Sequence, residues 1–167
     1  EEEAKLLAKY GVSVASTPLC EMKIQDGVAP IPQYVREGVN VCLGSDGALW
    51  NNTNDIFAEM KGMALLHSLT SSPRALGVRD VLNMATVNGY RAFGIEDAGM
   101  LAAGMRADVV LLDATGAHMA PLRLGSTLVV TRGAWDARLG ADHAARQSRV
   151  PAGEIAAACS DPGKIPE

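Results

Sequence analysis

The residues of this chain best suited to chemistry stand in a short polar cluster after an apolar segment. Val39 to Leu43 is a mostly apolar run with β-branched residues, and Gly44-Ser45-Asp46-Gly47 follows it directly. Such a run is typical of a strand in a parallel sheet covered on both faces, and ligand sites gather at the carboxyl ends of such strands. Asp46 is therefore the first candidate for a catalytic or metal-binding carboxylate. Alone it is weak evidence, because an aspartate before glycine is also common in turns.

The other residue types that bind metals or act as nucleophiles are scattered. The cysteines are odd in number and lack Cys-x-x-Cys spacing, so they predict buried reduced thiols and no structural zinc site. The histidine spacing does not match a metal motif either, and we expect the first of the three to lie on a helix face in contact with the core or solvent. These residues are His67, His118 and His143, and Cys20, Cys42 and Cys159.

The elements that must position Asp46 alternate between helix and strand. Three patterns define the first five segments: apolar residues at helical spacing, runs of β-branched residues, and glycine or proline residues that end a helix or strand. They are a helix over Glu1–Tyr10, a strand over Val12–Ser16 that stops at Pro18, an irregular stretch over Cys20–Pro32, a short helix over Gln33–Glu37, and a strand over Val39–Leu43.

Two helices are predicted after the polar cluster. The first has Asn54 as its N-cap and extends to about Leu69. The second spans Val78–Phe93 and stops at Gly94. Three methionines on these helices are expected to fill the core, and the turn-rich segment from Gly99 leads into a strand over Ala107–Asp113, in which Asp108 is expected to act as a turn acceptor. The three methionines are Met60, Met63 and Met84.

The composition limits the classes of function that the chain can have. The chain has 167 residues, of which 48% are hydrophobic and 20% charged, enough for the core of one domain. A net charge of -4 offers no basic field for nucleic acid. No apolar run reaches the roughly 18 residues of a membrane span, so we expect a cytoplasmic protein without membrane contact. Because residue 1 is Glu, within a helical pattern, we also expect the chain to begin inside a longer protein.

Five separated segments, in this order, resemble one family. The resemblance covers roughly residues 1 to 131 and is to the amidohydrolase superfamily, in the branch of cytosine, guanine and S-adenosylhomocysteine deaminases and triazine chlorohydrolases. The segments are Gly27-Val28-Ala29-Pro30; Gly38 through Gly47; Asn51-Asn52 with Asn54-Asp55; Met84-Ala85-Thr86 with Asn88-Gly89; and Gly99-x-Leu101-x-x-Gly104-x-x-Ala107-Asp108.

The resemblance implies an α/β fold: the C-terminal portion of a metal-dependent hydrolase TIM barrel, with its last two strands and helices, plus part of a small β-sandwich domain. Val12–Ser16 would be the seventh barrel strand and Val39–Ser45 the eighth. Residues 1–98 would belong to the barrel and 99–131 to the composite β-sandwich. Residues 132–167 would form an irregular tail, rich in Ala and Arg, which we interpret as frameshifted or otherwise altered.

The resemblance also implies a site. Asp46 would bind a divalent metal, zinc or iron, and transfer protons, while Gly44 and Gly47 would let the backbone turn tightly beside it. The histidine ligands of the family would precede residue 1, so the metal site would be incomplete in this chain.

The substrate pocket departs from the commonest family pattern. Many relatives have His-x-Pro and then x-Ser-Asn, where this chain has Ser16-Thr17-Pro18 and then Leu19-Cys20-Glu21. We predict that Cys20, Glu21 and Trp50 line the pocket mouth, with Trp50 stacking on a planar heterocycle. The alternative for Trp50 is that it packs under a loop.

The implied activity is hydrolysis of C–N or C–Cl bonds in a purine-, pyrimidine- or triazine-like ring, by a metal-dependent amidohydrolase present here as an incomplete fragment. Its partners would be a small heterocyclic substrate and, in the full-length family, further copies in a homo-oligomer. The alternative is a non-catalytic truncated product or an interaction module that lacks the N-terminal metal ligands. A complete barrel of roughly 250 residues favours that alternative for the isolated chain.

Overall fold

The structure, a computed structural model, describes residues 2–106, 108 and 110. A helix precedes the first strand, two helices separate the two strands, and four helices follow the second strand in the described part of the chain. In chain order the elements are α1 (Glu2–Lys9), β1 (Ser13–Ser16), α2 (Pro18–Ile24), α3 (Ile31–Arg36), β2 (Asn40–Leu43), α4 (Ala48–Asn51), α5 (Ile56–Thr70), α6 (Val78–Met84) and α7 (Val87–Ala92).

The two strands form a parallel pair, in the register Ser13 opposite Asn40 and Ser16 opposite Leu43. Helices α2 and α3 connect them, as a parallel pairing requires. The helices pack on the pair around one apolar cluster, which includes the three methionines expected in the core and so confirms that prediction. The buried members of the cluster are Ile31, Val39, Val41, Met60, Met63, Val81 and Met84.

The first helix and both strands are confirmed to within about two residues at each end. The stretch over Cys20–Pro32, predicted to be irregular, instead begins inside α2. Pro18 ends β1 as expected, but it also occupies the first turn of α2. A proline is tolerated there because the N–H that it lacks has no helical partner at that position. The same residue therefore stops the strand and starts the helix.

The single helix predicted over Val78–Phe93 is wrong, because the structure has two helices there. Thr86 lies between them with φ -130° and ψ -100°, outside the helical region. Its hydroxyl donates a hydrogen bond to the Leu82 carbonyl oxygen at 2.8 Å. A threonine side chain that bonds to the backbone in this way competes with the helical ladder, so the periodic pattern continues while the helix does not.

The predicted N-cap of α5 is also wrong by one residue. The cap is Asp55 and not Asn54: its carboxylate accepts hydrogen bonds from the backbone N–H groups of Phe57 and Ala58, at 2.9 and 3.3 Å. Both residue types are good caps. The carboxylate adds a favourable interaction with the helix dipole.

Most of the predicted β-sandwich lies outside the described residues, as do the strand of residues 126–131, the tail of residues 132–167, His118, His143 and Cys159. The role of Asp108 as a turn acceptor stays a prediction, because its chain neighbours lie outside the described residues. The Asp108 carboxylate accepts a hydrogen bond from the Tyr90 hydroxyl on α7 at 3.0 Å. Within the described part of the chain, no helix is both long enough and apolar enough to cross a bilayer.

Gly99 tests how closely the segment after α7 packs against that helix. Its φ is +89°, and an added Cβ would lie 2.6 Å from the Val87 Cα atom. We expect Gly99→Ala to lower the free energy of unfolding by about 2 kcal/mol or more, through backbone strain and this clash. The control is Gly89→Ala in α7, whose Cβ would meet nothing within 4 Å and which should stabilise by up to about 1 kcal/mol. Urea unfolding of both variants measures the difference, and equal effects would contradict this packing.

The burial of His67 predicts that the free energy of unfolding decreases at acid pH. This residue is buried on α5, and its Nδ1 atom has no hydrogen-bond partner among the described residues. Burial lowers the pKa of His67, and the negative charge of Glu21 opposes this only in part. As the pH falls below about 6.5, the unfolded chain takes up a proton that the folded chain does not accept, so the free energy of unfolding decreases.

We expect His67→Gln to remove this contribution and flatten the dependence of unfolding free energy on pH between about 7 and 5. Urea unfolding at several pH values measures it. Ser68→Gln, at the exposed neighbouring position, is the control and should keep the parent slope. A parent slope retained in His67→Gln would show that His67 is not the titrating group.

Candidate functional site

The parallel pairing brings two loops together at one edge of the sheet. Ser16 and Leu43 are the last residues of β1 and β2 and lie opposite each other. The Gly44 N–H continues the ladder by donating to the Ser16 carbonyl oxygen at 2.9 Å. The chain that leaves β1 therefore enters α2 beside the loop that carries Asp46.

Asp46 has an exposed carboxylate on a left-handed backbone. Its φ is 57°, a conformation that aspartate tolerates better than most residues. Neither Gly44 nor Gly47 has a positive φ, so the prediction that these glycines make the tight turn is wrong. Asp46 makes the turn itself.

Two donors hold the Asp46 carboxylate. The Cys20 thiol donates to Oδ2, with 3.0 Å between sulfur and oxygen, and the Gly47 N–H donates to Oδ1 at 2.5 Å. The hydrogen bond from Cys20 and then that from Gly47 lower the pKa of Asp46, against a smaller opposing effect of burial. At neutral pH the group is therefore an anion with a fixed orientation.

Cys20 lies buried on α2 and faces Asp46. Its hydrogen bond to Asp46, followed by burial and the charge of Asp46, raises the pKa of Cys20 to about 11. The side chain is therefore a protonated thiol at neutral pH. It acts as a hydrogen-bond donor to the carboxylate rather than as a nucleophile, because nucleophilic attack requires the thiolate.

Glu21 is engaged at the start of α2. Its Oε1 atom accepts hydrogen bonds from the Ser16 hydroxyl at 3.0 Å and from the Thr17 N–H at 2.8 Å. Glu21 also lines an open cavity of about 290 Å³, together with residues 26–29. Asp46, Cys20 and Trp50 are not among the residues that line this cavity, so it does not bring Glu21 together with them.

Trp50 lies on α4, the short helix that begins two residues after Asp46. Its side chain is 54% exposed. The helix is held at its end by α2, because the Lys23 Nζ atom donates to the Asn52 side-chain oxygen at 2.6 Å. The structure thus keeps Asp46 and Cys20 in contact and places Trp50 on the next element, with its ring accessible to a ligand.

Sequence reasoning missed two residues beneath this loop. Glu59 on α5 is fully buried, and Asn51 on α4 is buried beside it. The Asn51 amide nitrogen donates to the Glu59 carboxylate and also to the Ser45 carbonyl oxygen. A signal was present in the sequence: Glu59 stands four residues before Met63 and three after Ile56, so a charged residue interrupts the apolar face of α5.

The described residues could supply only part of the ligand set of a metal site. An exposed anionic carboxylate at the end of a strand is a suitable ligand for zinc or iron. However, the part of the chain described by the structure has no group of three or more His, Cys, Asp or Glu side chains that could hold an ion. Asp46 is therefore a candidate ligand that no three-ligand group accompanies among the described residues.

Comparison with known proteins gives consistent matches. The amidohydrolase family model matches residues 1–138. The 5'-deoxyadenosine deaminase of Methanosarcina mazei is 45% identical over 138 residues, which cover 81% of this chain and 32% of that protein. This chain thus spans about a third of the length of the curated relatives that it matches.

Solved structures agree with the sequence matches. A zinc-bound adenosine deaminase from Xanthomonas campestris superposes with a TM-score of 0.75 at 32% identity, over 78% of this chain and 30% of that one. The zinc complex of an atrazine chlorohydrolase from Arthrobacter aurescens gives 0.72 at 26% identity, over 77% and 29%. The chain has the α/β fold of these metal-dependent hydrolases, and it belongs to the amidohydrolase family.

Proposed function

We propose that this segment supplies one corner of the active site of a hydrolytic deaminase that acts on a 5'-deoxyadenosine-like nucleoside. The observation that carries the proposal is the exposed, anionic Asp46 at the end of β2, oriented by Cys20 and Gly47. The name of the Methanosarcina mazei relative supports the substrate class. A chlorinated triazine is the less favoured substrate, because the chlorohydrolase is only 26% identical to this chain, whereas the deaminase is 45% identical.

The proposed architecture is the end of a TIM barrel. Strands β1 and β2 would be its seventh and eighth strands, residues 1–98 would belong to the barrel, and residues 99–131 to a small β-sandwich. The parallel pairing of β1 with β2 and the helices packed on the pair support this assignment. Active sites of such barrels lie at the carboxyl ends of the strands, where Asp46 is found.

Asp46 would act as a ligand and as the group that moves the proton. A divalent metal, zinc or iron, supplies a water of lowered pKa when bound. One oxygen of Asp46 would serve as a ligand to that metal, and the other would accept the proton of the attacking water and return it to the leaving amine. Water adds to the ring carbon, the C–N bond breaks, and ammonia leaves. The Cys20 thiol would keep the carboxylate in the orientation that both tasks require.

Cys20, Glu21 and Trp50 are proposed to form the mouth of the substrate pocket. The exposed indole of Trp50 offers a flat apolar face next to the Asp46 loop, as expected for stacking on a purine ring. Glu21 lines an open cavity together with residues 26–29. Its carboxylate is suited to accept hydrogen bonds from a ribose hydroxyl.

A second candidate applies to the 167-residue chain on its own: a non-catalytic segment or interaction module. It is favoured by the lack of a three-ligand group among the described residues. Under both proposals the remaining metal ligands lie outside the described part of the chain. A cytoplasmic location and a homo-oligomeric assembly are proposed for the complete enzyme.

The function is tested by ammonia release in a zinc-loaded polypeptide that carries this segment together with the remaining ligands. We expect deamination of 5'-deoxyadenosine and little release of chloride from atrazine. Asp46→Asn should lower kcat by about 10²–10⁴-fold, because the amide cannot accept the proton. Asp97→Asn is the control, since Asp97 is an exposed carboxylate paired with Arg106, and its kcat should stay within about twofold. Full activity in Asp46→Asn would refute the role of Asp46.

The role of Trp50 is tested separately. Trp50→Ala should raise KM for 5'-deoxyadenosine by roughly five- to tenfold with little change in kcat, as expected for the loss of one aromatic stacking contact. Trp50→Phe should recover most of the affinity. Leu49→Ala changes a more exposed neighbour on α4 and should leave KM unaltered. An unchanged KM in Trp50→Ala would favour the alternative in which the indole has only a packing role.

A further inference from the structure

The deepest charged group in the described part of the chain is the Glu59 carboxylate on α5. Its exposed fraction is 0%, and it lies on the same helix as the buried Met60 and Met63. A carboxylate is costly to bury unless hydrogen bonds compensate for the lost water. A volume-conserving apolar residue such as methionine would avoid that cost. Its presence among methionines therefore calls for an explanation beyond packing.

Glu59 uses its two oxygens to hold two different segments. Oε2 accepts a hydrogen bond from the Leu19 backbone N–H at 3.1 Å, and Oε1 accepts one from the Asn51 side chain. The same Asn51 nitrogen donates to the Ser45 carbonyl oxygen at 2.5 Å. Leu19 lies 40 residues before Glu59 in the chain, so the carboxylate joins α2, α4 and the loop after β2.

These contacts close a ring around the candidate site. Leu19 directly precedes Cys20, and Ser45 directly precedes Asp46. Cys20 and Asp46 are hydrogen-bonded to each other on the exposed side, while Glu59 and Asn51 join their neighbours on the buried side. We call this arrangement the Glu59 ring. It fixes the backbone on both sides of the Cys20–Asp46 contact, since each partner is anchored one residue away.

We propose that Glu59 is a positioning residue that sets the orientation of Asp46, acting through Asn51 and the Leu19 backbone. Its consequence for catalysis rests on the proposed function, whereas its effect on the Asp46 loop does not. Asn51 is the bridge, because its amide can donate to Glu59 and Ser45 at once. The ring predicts that the Glu59 and Asn51 contributions are coupled rather than additive.

The first test is hydrogen exchange followed by mass spectrometry on the full 167-residue chain, read on peptides that cover residues 45–52. Glu59→Met keeps the side-chain volume and removes both acceptors, and Glu59→Gln keeps one oxygen acceptor. We expect exchange to rise more than tenfold in Glu59→Met and in Asn51→Ala, and by an intermediate factor in Glu59→Gln. The double variant Glu59→Met/Asn51→Ala should exceed the larger single effect by no more than about twofold.

The control for general destabilisation is Val81→Ala, which truncates a buried side chain on α6. Variants are compared at equal distance below their thermal midpoints. Val81→Ala should then leave exchange over residues 45–52 within about twofold of the parent. Equal exchange in the Glu59 variants and Val81→Ala, or additive effects of Glu59→Met and Asn51→Ala, would overturn the ring as a positioning device. If Glu59→Met does not fold, Glu59→Gln and Asn51→Ala decide the result.

The second test measures kcat and KM for deamination in the zinc-loaded polypeptide that carries this segment together with the remaining metal ligands. Glu59→Gln should lower kcat tenfold or more, while KM stays within about threefold. The reason is that a misplaced Asp46 affects the proton transfer and not the binding of the purine base. An unchanged kcat in a variant with a loosened loop would overturn the catalytic part of the inference. Absence of deamination in the parent would instead refute the proposed function, and the exchange experiment would still decide the role of Glu59.

Discussion

The parallel pairing of β1 with β2 is the constraint on which the site depends. Ser16 lies opposite Leu43, so both strands end at the same edge of the sheet, and the two chain segments that follow start side by side. Cys20 and Asp46, 26 residues apart in sequence, meet for this reason. A slip of one residue would also turn Val41 from the core to the opposite face. The register of the two strands therefore determines which residues meet at the site.

Hydrogen bonds from neutral donors stabilise three carboxylates close to that edge. Backbone N–H groups, a thiol, a hydroxyl and an amide supply these bonds, so the negative charges are oriented without being neutralised by a lysine or arginine partner in the same contacts. The exposed carboxylate of Asp46 therefore favours a cation over an anion as a ligand. The contacts are Ser16 and Thr17 to Glu21, Cys20 and Gly47 to Asp46, and Leu19 and Asn51 to Glu59.

The sequence could predict features that depend on local pattern. The apolar run before Asp46 indicated β2, and the methionine spacing indicated the core face of α5 and α6; both are confirmed. The break at Thr86 was not predicted, because the backbone departs from helical angles there without any change in the apolar periodicity. The start of α2 was missed because Pro18 is compatible with ending a strand and with beginning a helix.

The contacts of the candidate site were less accessible to sequence reasoning. Asp46 could be singled out because it follows a buried strand. Its contact with Cys20 depends on the register of two strands separated by two helices, and that distance cannot be inferred from local spacing. Glu59 gave a local signal as a charge on an apolar helix face, but its partners Leu19 and Asn51 are known only once α2 and α4 are in place. The prediction thus identified the carboxylate but not the residues that orient it.

The backbone at Asp46 explains why such orientation is needed. A φ of 57° is strained for most side chains, and glycine would adopt it without cost. A glycine at this position would, however, remove the carboxylate. The flanking positions, Gly44 and Gly47, have ordinary φ values, so the strain falls on the one residue whose side chain the proposed chemistry requires. Surrounding contacts must then over-determine the conformation. Cys20 and Gly47 hold the carboxylate from outside, and the proposed role of the Glu59 ring is to hold the adjoining backbone from within, so this segment contains contacts that orient the Asp46 carboxylate.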